Sequence, residues 1–266
     1  MRSRRPKLKK TSYKILVPLF VALAALFFKG QPVDYTRVLV RTVVDGDTVE
    51  LSNGKPLRYI GIDCPETHRK TEAGWRDVVE PFGQEARQLN VGLVLGKSVR
   101  LEFDVQKQDK YQRLLAYCFV QEGGREVMVQ EELLRQGLAY LYTFSPNIKY
   151  VDRLVAALNE AKRKRVGLWS IDLSLDSQEA GAHIGERKTV TGLIKRVRQS
   201  AKVIRLETDG IVFVIFKNDL GLFEREGIDP PVFYKARNVR VFGLIKEYNG
   251  KPEIIVSNPW QIEVQS

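Results

Sequence analysis

The sequence predicts a mainly β protein that also contains helices, built as two β-rich units in succession. Short runs rich in valine, isoleucine and threonine recur from residue 37 onwards, which is typical of β-strands. Hairpin signals separate several of these runs, among them Asn53-Gly54 and Asn249-Gly250. Three segments between residues 83 and 165 instead space their apolar residues as helices do. With 266 residues, the chain is long enough for two modest domains.

Residues 1–29 predict an export signal or a membrane anchor. Seven of the basic residues behind the formal net charge of +11 lie within the first fourteen positions, and the apolar run 15–28 follows. This order is typical of a secretory signal or an N-terminal anchor. The run is slightly shorter than the about 20 residues of a spanning helix, and its small residues Ala22 and Ala24 lie inside it. We expect an exported protein with a hydrophobic N-terminal helix that anchors it in the membrane, facing the periplasm or extracellular space. The alternative is a cleaved signal and secretion.

Residues 30–170 predict an antiparallel meander that carries three helices. Strands are expected at residues 37–44, 48–52 and 55–62, at 97–104, and from near Arg113. Helices are expected at residues 83–95, 129–136 and 151–165, with Gly137 ending the second helix and Gly167 capping the third.

Residues 171–182 are polar and aperiodic, and we interpret them as a linker. Residues 183–266 return to β-like runs and predict a second, small all-β domain. This domain has no cluster of histidine, aspartate and glutamate in its sequence that would perform chemistry. The chemistry is therefore expected in the first unit.

Charged residues interrupt the apolar strands of the first unit and their turns. Arg58 lies inside an apolar strand that leads into the polar sequence IDCPET, which contains Asp63 and Glu66. Asp47 lies in the preceding Asp-Gly-Asp turn, and Arg113 begins a later apolar run. A buried arginine is costly without an anion nearby. Structural salt bridges to Asp47 or Asp63 would explain the arginines, and so would an anionic substrate.

Cys64, inside the same turn, is not expected to be a nucleophile. A thiol needs an activating base, and the two histidines of the chain, His68 and His183, lie in the same loop and beside the linker. Sulfur is also a soft ligand, poorly matched to hard cations. Cys64 and Cys118 show no disulfide framework, and the sequence leaves open whether they pair.

Six segments of the chain resemble the staphylococcal nuclease family in their order and spacing: VVDGDTVEL, LRYIGIDCPET, PFGQEA, DKYQRLLAY, LLRQGLA and GLW. The resemblance covers residues 37–170. It implies an OB-type five-stranded barrel plus three helices, in agreement with the elements predicted above. It also implies a calcium-dependent endonuclease that hydrolyses DNA and RNA phosphodiesters and leaves 3′-phosphate ends.

The resemblance further implies a role for each matching residue of the metal and water site. Asp47 and Asp63 match the carboxylates that bind Ca²⁺, and Cys64 stands where only a backbone carbonyl is used. Glu66 matches the glutamate that orients or deprotonates the attacking water. Carboxylate and carbonyl oxygens are the ligands that calcium prefers.

The resemblance also implies which residues contact the substrate. Arg58 and Arg113 match two arginines that clamp the scissile phosphate, a role that suits the planar guanidinium, which bonds two phosphate oxygens at once. The matches to nucleotide-contacting residues are Lys110, Tyr111 and Tyr142. Phe144 departs from the family pattern, in which a second tyrosine follows.

The second unit resembles, at the level of fold, an OB-like barrel that binds nucleic acid. Such barrels stack bases on aromatic side chains beside a basic groove. The aromatic residues are Phe213, Phe216, Tyr248 and Trp260, and the basic residues are Lys195, Arg196, Arg198, Lys202 and Arg205. Core aromatics and solvated strand edges explain the same residues as well.

Two other classes of function compete with the enzyme. A non-catalytic, membrane-tethered nucleic-acid-binding protein should lack one or more of Arg58, Glu66 and Arg113, and all three are present. An adaptor that recognises protein ligands would need an aromatic cage, and the sequence shows no convincing aromatic cluster for one. The expected partners are DNA or RNA, preferably single-stranded, and the membrane through the N-terminal segment. No protein partner is predicted.

Overall fold

The computed structural model describes residues 33–66, 68–71, 74–77 and 80–265, with the backbone alone for residues 68–71 and 74–77. The hydrophobic helix predicted within residues 1–29 lies outside these described residues. Among the residues that are described, no helix is both long and apolar enough to cross a bilayer. From Tyr35 onwards the chain packs into one compact body. This body contains two hydrophobic cores, one for each of the two β units.

A five-stranded barrel encloses the first core. Its strands run in the order β3-β2-β1-β7-β8, and β8 pairs with β3 in parallel and closes the barrel. In β2, β3 and β7 alternate residues are buried in the core, as the period of two requires, whereas β8 buries the continuous run 116–120. The predicted barrel is therefore confirmed. Its strands are β1 Val38–Asp45, β2 Thr48–Leu51, β3 Pro56–Tyr59, β7 Ser98–Glu102 and β8 Leu114–Glu122. A further strand, β9 Arg125–Met128, pairs with β8 in antiparallel orientation.

Three helices accompany the barrel, and they agree closely with the three predicted segments. They are α1 Gly83–Val94, α2 Val129–Arg135 and α3 Val151–Lys164. Helix α3 buries Leu154 and Leu158 against the core. Its left-handed cap is Arg165, with φ of 51°, rather than the predicted Gly167. Gly167 instead packs on Gly137, whose carbonyl oxygen would lie 2.3 Å from an added Cβ.

Two short antiparallel pairs lie outside the barrel. Strand β4 Gly61–Asp63 pairs with β10 Tyr140–Tyr142, so that Asp63 lies opposite Tyr140. Strands β5 His68–Thr71 and β6 Gly74–Asp77 form a hairpin. The β4–β10 pair matters for the site because it carries Asp63 and Tyr142 on neighbouring strands.

Two sheets and two short helices build the second unit. One sheet has the order β11-β12-β16-β19 and the other β13-β14-β15-β18-β17. The prediction of an all-β unit overlooked the helices, which are too short for a helical period to show in the sequence. The strands are β11 Ser174–Asp176, β12 Arg187–Leu193, β13 Arg196–Gln199, β14 Val203–Glu207, β15 Val212–Phe216, β16 Asn238–Leu244, β17 Lys246–Tyr248, β18 Lys251–Ile255 and β19 Ile262–Val264, and the helices are α4 Leu220–Arg225 and α5 Pro230–Phe233.

Residues 171–182, predicted as a linker, are structured. Strand β11 pairs in parallel with β12, and the 3₁₀ helix Ser177–His183 follows it. Asp176 and Glu179 form a reciprocal capping box at the start of this 3₁₀ helix. Ala180 is fully buried in the second core. The domain boundaries themselves stay a prediction.

Aromatic side chains join the two β units. The ring of Tyr140 from β10 stacks on that of Phe242 from β16, with centroids 4.6 Å apart. Trp169 makes an edge contact with both rings, and Trp260 packs against the first core. The start of β12 is thereby placed beside β4, which brings residues of the second unit close to Asp63.

Candidate active site

Asp47 is a buried carboxylate in the turn between β1 and β2. Its Oδ1 accepts a hydrogen bond from the Thr48 hydroxyl at 3.0 Å, and its Oδ2 accepts one from the Cys64 backbone N–H at 2.7 Å. Burial raises the pKa of Asp47 to about 6; Arg58 opposes this rise, and the negative charge of Asp63 adds to it. A carboxylate in this position is stabilised by any cation that the cleft admits.

Arg58 bridges the two predicted metal-binding aspartates. Its Nη2 donates to Asp63 Oδ1 at 2.6 Å, and its Nη1 lies 2.6 Å from Asp47 Oδ2, an ion pair whose angle falls outside hydrogen-bond geometry. Arg58 pairs with Thr48 across β2 and β3, which aims its side chain at the turn. Burial opposes the charge on Arg58, but the two carboxylates outweigh it and raise its pKa. The salt bridges that the sequence offered as one explanation of Arg58 are thus present.

Arg113 does not pair with either of these aspartates. Its Nε donates to Asp109 Oδ2 at 2.7 Å, and its backbone N–H donates to Asp109 Oδ1 at 3.0 Å. Asp109 also accepts from the backbone N–H of Tyr111. Burial alone would raise the pKa of Asp109, but the hydrogen bonds from Arg113 and Tyr111 lower it. Arg113 is therefore fixed by its own loop, and a third of its side chain stays exposed.

Glu66 and Cys64 follow β4 and lie on different sides of the turn. Glu66 is exposed, and its backbone N–H donates to Glu80 Oε2 at 3.1 Å. Cys64 is buried and free, as is Cys118. Burial raises the pKa of the Cys64 thiol well above its usual value. A protonated, buried thiol agrees with the expectation that Cys64 is not a nucleophile.

A cleft of about 600 Å³ brings most of the predicted site together. Lys110 and Tyr111 lie outside its lining, but they stand at the rim: the Tyr111 ring is 67% exposed, with Arg113 Cζ 5.6 Å and Lys110 Nζ 5.0 Å from its centroid. Tyr142 and Phe144 are both exposed and meet edge to face at 5.4 Å. The predicted residues that line the cleft are Asp47, Arg58, Asp63, Cys64, Glu66, Arg113 and Tyr142.

Sequence reasoning missed Arg187, which reaches this cleft from the second unit. Its Nη2 forms an ion pair with Asp63 Oδ2, and its Cζ lies 5.1 Å from the centre of the Tyr140 ring. The two paired residues are 124 positions apart, so no local spacing signals the contact. Asp109, also missed, precedes Arg113 by four positions, and that short spacing of opposite charges was available in the sequence.

The oxygen atoms around Asp47 and Asp63 suit a hard cation. Both carboxylates meet the same guanidinium group, so their oxygens lie close enough to share one positive charge. Two carboxylates and a peptide carbonyl are a ligand set of the kind that calcium accepts. No group of three or more histidine, cysteine or acidic residues that could hold a metal occurs within the part of the chain that the structure describes. A hard cation bound between Asp47 and Asp63 would therefore take its further ligands from the backbone and water.

The sequence of this chain is similar to a described protein family and to several named proteins. Residues 56–171 match the family described as staphylococcal nuclease homologue. The chain is 37% identical to the thermonuclease of Staphylococcus hyicus over 131 residues, which is 48% of this chain and 72% of that protein. It is 39% identical over 138 residues to two proteins of Bacillus subtilis (strain 168), the SPbeta prophage-derived endonuclease YokF and the endonuclease YncB. These matches span 44% and 61% of the two endonucleases, and 50% of this chain.

Proposed function

The chain belongs to the staphylococcal nuclease family, and from this membership we propose that it is a calcium-dependent nuclease acting at the cleft between its two β units. The observation that carries the proposal is the convergence of Asp47, Asp63, Arg58, Glu66 and Arg113 on that cleft. Phosphodiester hydrolysis gathers negative charge on the oxygens around phosphorus, so such a site must present positive charge and hydrogen-bond donors. Two arginines beside a cation site meet this need.

Asp47, Asp63 and the backbone carbonyl of Cys64 are the proposed holders of calcium. A calcium ion bound there would polarise the phosphate and hold a water molecule near it. Thr48 and the Cys64 N–H orient the Asp47 carboxylate through hydrogen bonds. Such contacts from neighbouring groups fix the direction in which a ligand oxygen points.

Arg58 and Arg113 are the proposed phosphate-binding residues. A guanidinium group is planar and presents paired N–H groups to two phosphate oxygens at once. Arg113 is held by Asp109 through Nε, and this leaves its two terminal nitrogens for a phosphate. Arg58 contacts Asp63 and Asp47 through its two terminal nitrogens, so its contact with substrate requires it to exchange a carboxylate for a phosphate.

Glu66 is the proposed acceptor of a proton from the attacking water. It is exposed at the cleft and follows Pro65, which restricts the backbone of the turn. A general base must stand within hydrogen-bond reach of the water that it deprotonates. By the family resemblance, the products carry 3′-phosphate ends.

Exposed aromatic rings around the cleft favour unpaired bases. Tyr142 and Phe144 line the cleft, and the Tyr111 ring lies beside Arg113. Bases of a single strand stack on such rings, whereas bases in a duplex are covered by their neighbours. We therefore propose single-stranded DNA or RNA as the preferred substrate.

A contribution of the second unit to nucleic-acid binding rests on fewer residues than the sequence suggested. Phe213 is fully buried in the second core, and Trp260 packs against the first core, so neither ring is free to stack on a base. Phe216 and Tyr248 are exposed, and Arg205 lies 5.6 Å from the Tyr248 ring. These two rings are the proposed stacking surface of this unit.

Export and membrane anchoring through residues 1–29 remain part of the proposal. Its support is the basic and apolar order of the N-terminal sequence. An exported nuclease would meet calcium at about millimolar levels, where weak sites are filled.

The proposal is tested with the purified full-length chain and a labelled single-stranded oligonucleotide, as DNA and as RNA. Cleavage in calcium that stops in chelator and yields 3′-phosphate ends is the expected result. The competing function, nucleic-acid binding without catalysis, predicts a stable complex and an intact strand. Cleavage that persists in chelator would contradict the calcium site.

A further inference from the structure

Asp63, one of the two proposed calcium ligands, has both of its carboxylate oxygens bound to arginine. Oδ1 accepts from Arg58 Nη2 at 2.6 Å, and Oδ2 is paired with Arg187 Nη2. A cation that approaches Asp63 must therefore displace or reorient at least one guanidinium group. A dication placed beside two guanidinium groups would be repelled by both, and this repulsion favours the departure of one of them.

Arg187 is the arginine that is easier to release. The side chain of Arg58 is 12% exposed and pairs with Asp47 as well as Asp63. The side chain of Arg187 is 23% exposed and belongs to the first residue of β12. Among the described residues, Arg187 forms its ion pair with Asp63. Release of Arg187 thus breaks one ion pair, whereas release of Arg58 breaks two.

A released Arg187 would stay in the cleft, whose wall on that side belongs to the second unit. Phe242, Lys246 and Gln261 line the same cleft as Arg187. The Tyr140 ring, which stacks on Phe242, lies against the guanidinium, with Arg187 Cζ 5.1 Å from the Tyr140 centroid. A guanidinium held against an aromatic ring keeps its edge free to bond a phosphate.

We propose that Arg187 is an exchangeable cation, which neutralises Asp63 in the metal-free protein and contacts a nucleic-acid phosphate when a divalent cation binds Asp63. The second β unit then completes the active site by supplying a substrate-binding residue. This inference rests on the proposed nuclease function, because it takes Asp63 as the metal ligand. It predicts opposite effects of the same substitution on two affinities.

The first measurement is calcium binding by titration calorimetry, without nucleic acid, for the full-length wild type and Arg187→Gln. Loss of the competing guanidinium is expected to strengthen calcium binding about tenfold, because one positive charge is removed from beside the Asp63 carboxylate. Arg225→Gln is the matched control, because Arg225 also joins the second unit to an acidic residue of the first, Asp152 on α3, outside the cleft. Its calcium affinity should equal that of the wild type. Unchanged or weaker calcium binding by Arg187→Gln would overturn the proposal.

The second measurement is binding of a single-stranded oligonucleotide in calcium, in a Glu66→Gln background that slows cleavage enough for binding to be measured first. Arg187→Gln should weaken binding about fivefold to tenfold and reduce the slope of log affinity against log salt concentration by about 0.7, the value for one phosphate contact on a single strand. Arg187→Lys should retain most of that slope because it keeps the charge. Unchanged oligonucleotide binding by Arg187→Gln would overturn the proposal even if calcium binding is strengthened.

Failure of the nuclease function gives a different pattern. A wild type that binds calcium and oligonucleotide but leaves the strand intact contradicts the enzyme, while the two affinities of the Arg187 variants still decide the role of Arg187. Thermal melting of each variant identifies one that does not fold, and Arg187→Met, which also removes the charge, then replaces Arg187→Gln in the same two measurements.

Discussion

Asp109 holds Arg113 at two points, the guanidinium Nε at 2.7 Å and the backbone N–H at 3.0 Å. Asp109 therefore sets both the course of the loop and the direction of the side chain. The two residues are four positions apart, so a local turn fixes the arginine that we place on the scissile phosphate. Asp109 is a positioning residue in this account.

Asp109→Asn should lower kcat/KM for cleavage about tenfold to a hundredfold. The amide oxygen still accepts from the backbone N–H groups, so the loop is kept, but Arg113 loses its charged partner and is less well placed. Steady-state kinetics and a melting curve measure the two effects. The melting temperature should change little because the amide oxygen keeps both backbone hydrogen bonds. A variant with wild-type kinetics would contradict the positioning role.

Arg58→Met should destabilise the metal-free protein by roughly 3 kcal/mol, because it leaves the buried Asp47 carboxylate without its counter-ion and removes one of the two arginine partners of Asp63. Calcium should restore part of this loss, since a ligand that binds only the folded state stabilises it. Urea unfolding with calcium and with chelator measures the difference. A loss of stability that calcium leaves unchanged would argue against a cation site at Asp47 and Asp63.

Gly61→Ala should destabilise the protein by about 2 to 5 kcal/mol. Gly61 has φ of 86°, and an added Cβ would lie 2.5 Å from Leu154 Cδ1. Backbone strain of about 1 to 2 kcal/mol then adds to overpacking of about 1 to 3 kcal/mol. Gly54→Ala is the control, because Gly54 has φ of 77° and nothing within 4 Å of its added Cβ. Equal losses in urea unfolding would contradict the clash with Leu154.

Asp219→Asn should stabilise the protein at pH 7 but not at pH 3.5. Burial raises the pKa of Asp219 from its usual 3.8 to about 6. A carboxyl with a higher pKa in the folded state holds its proton more tightly there, so its contribution to stability falls as the pH rises from about 4 to about 6. The expected gain at pH 7 is about 1 kcal/mol, since the carboxyl keeps part of its hydration.

Urea unfolding at the two pH values measures this gain. Glu224→Gln, which removes an exposed carboxyl from the adjoining helix α4, is the control for the loss of one negative charge in this region. A gain for Asp219→Asn that is equal at pH 3.5 and pH 7 would contradict the raised pKa.

Local patterns predicted the first unit well because they depend on residues within a few positions of each other. Alternation placed β1 to β3, and helical spacing placed α1 and α3 within a residue or two. The motif IDCPET, which contains Asp63 and Glu66, is likewise recognisable from neighbouring residues alone. The site residues on β4 and the preceding turn were accessible to such reasoning for this reason.

The contribution of the second unit could not be predicted from such patterns. Arg187 reaches Asp63 only because Tyr140 and Phe242 stack and bring β12 beside β4. Residues 171–182 have no period in sequence, yet pairing of β11 with β12 and burial of Ala180 order them. Helices α4 and α5 consist of six and four residues, too few for a helical pattern to repeat.

The most direct test of the central claim is the single-turnover rate of single-strand cleavage in calcium by Glu66→Gln, beside Glu85→Gln as control. Glu85 is an exposed carboxylate on α1 and does not line the cleft. We predict that Glu66→Gln cleaves the strand about a hundredfold to a thousandfold more slowly but still binds it, because general-base catalysis supplies a factor of this order. Glu85→Gln should cleave at the wild-type rate. Cleavage by Glu66→Gln at the wild-type rate would contradict catalysis at this cleft.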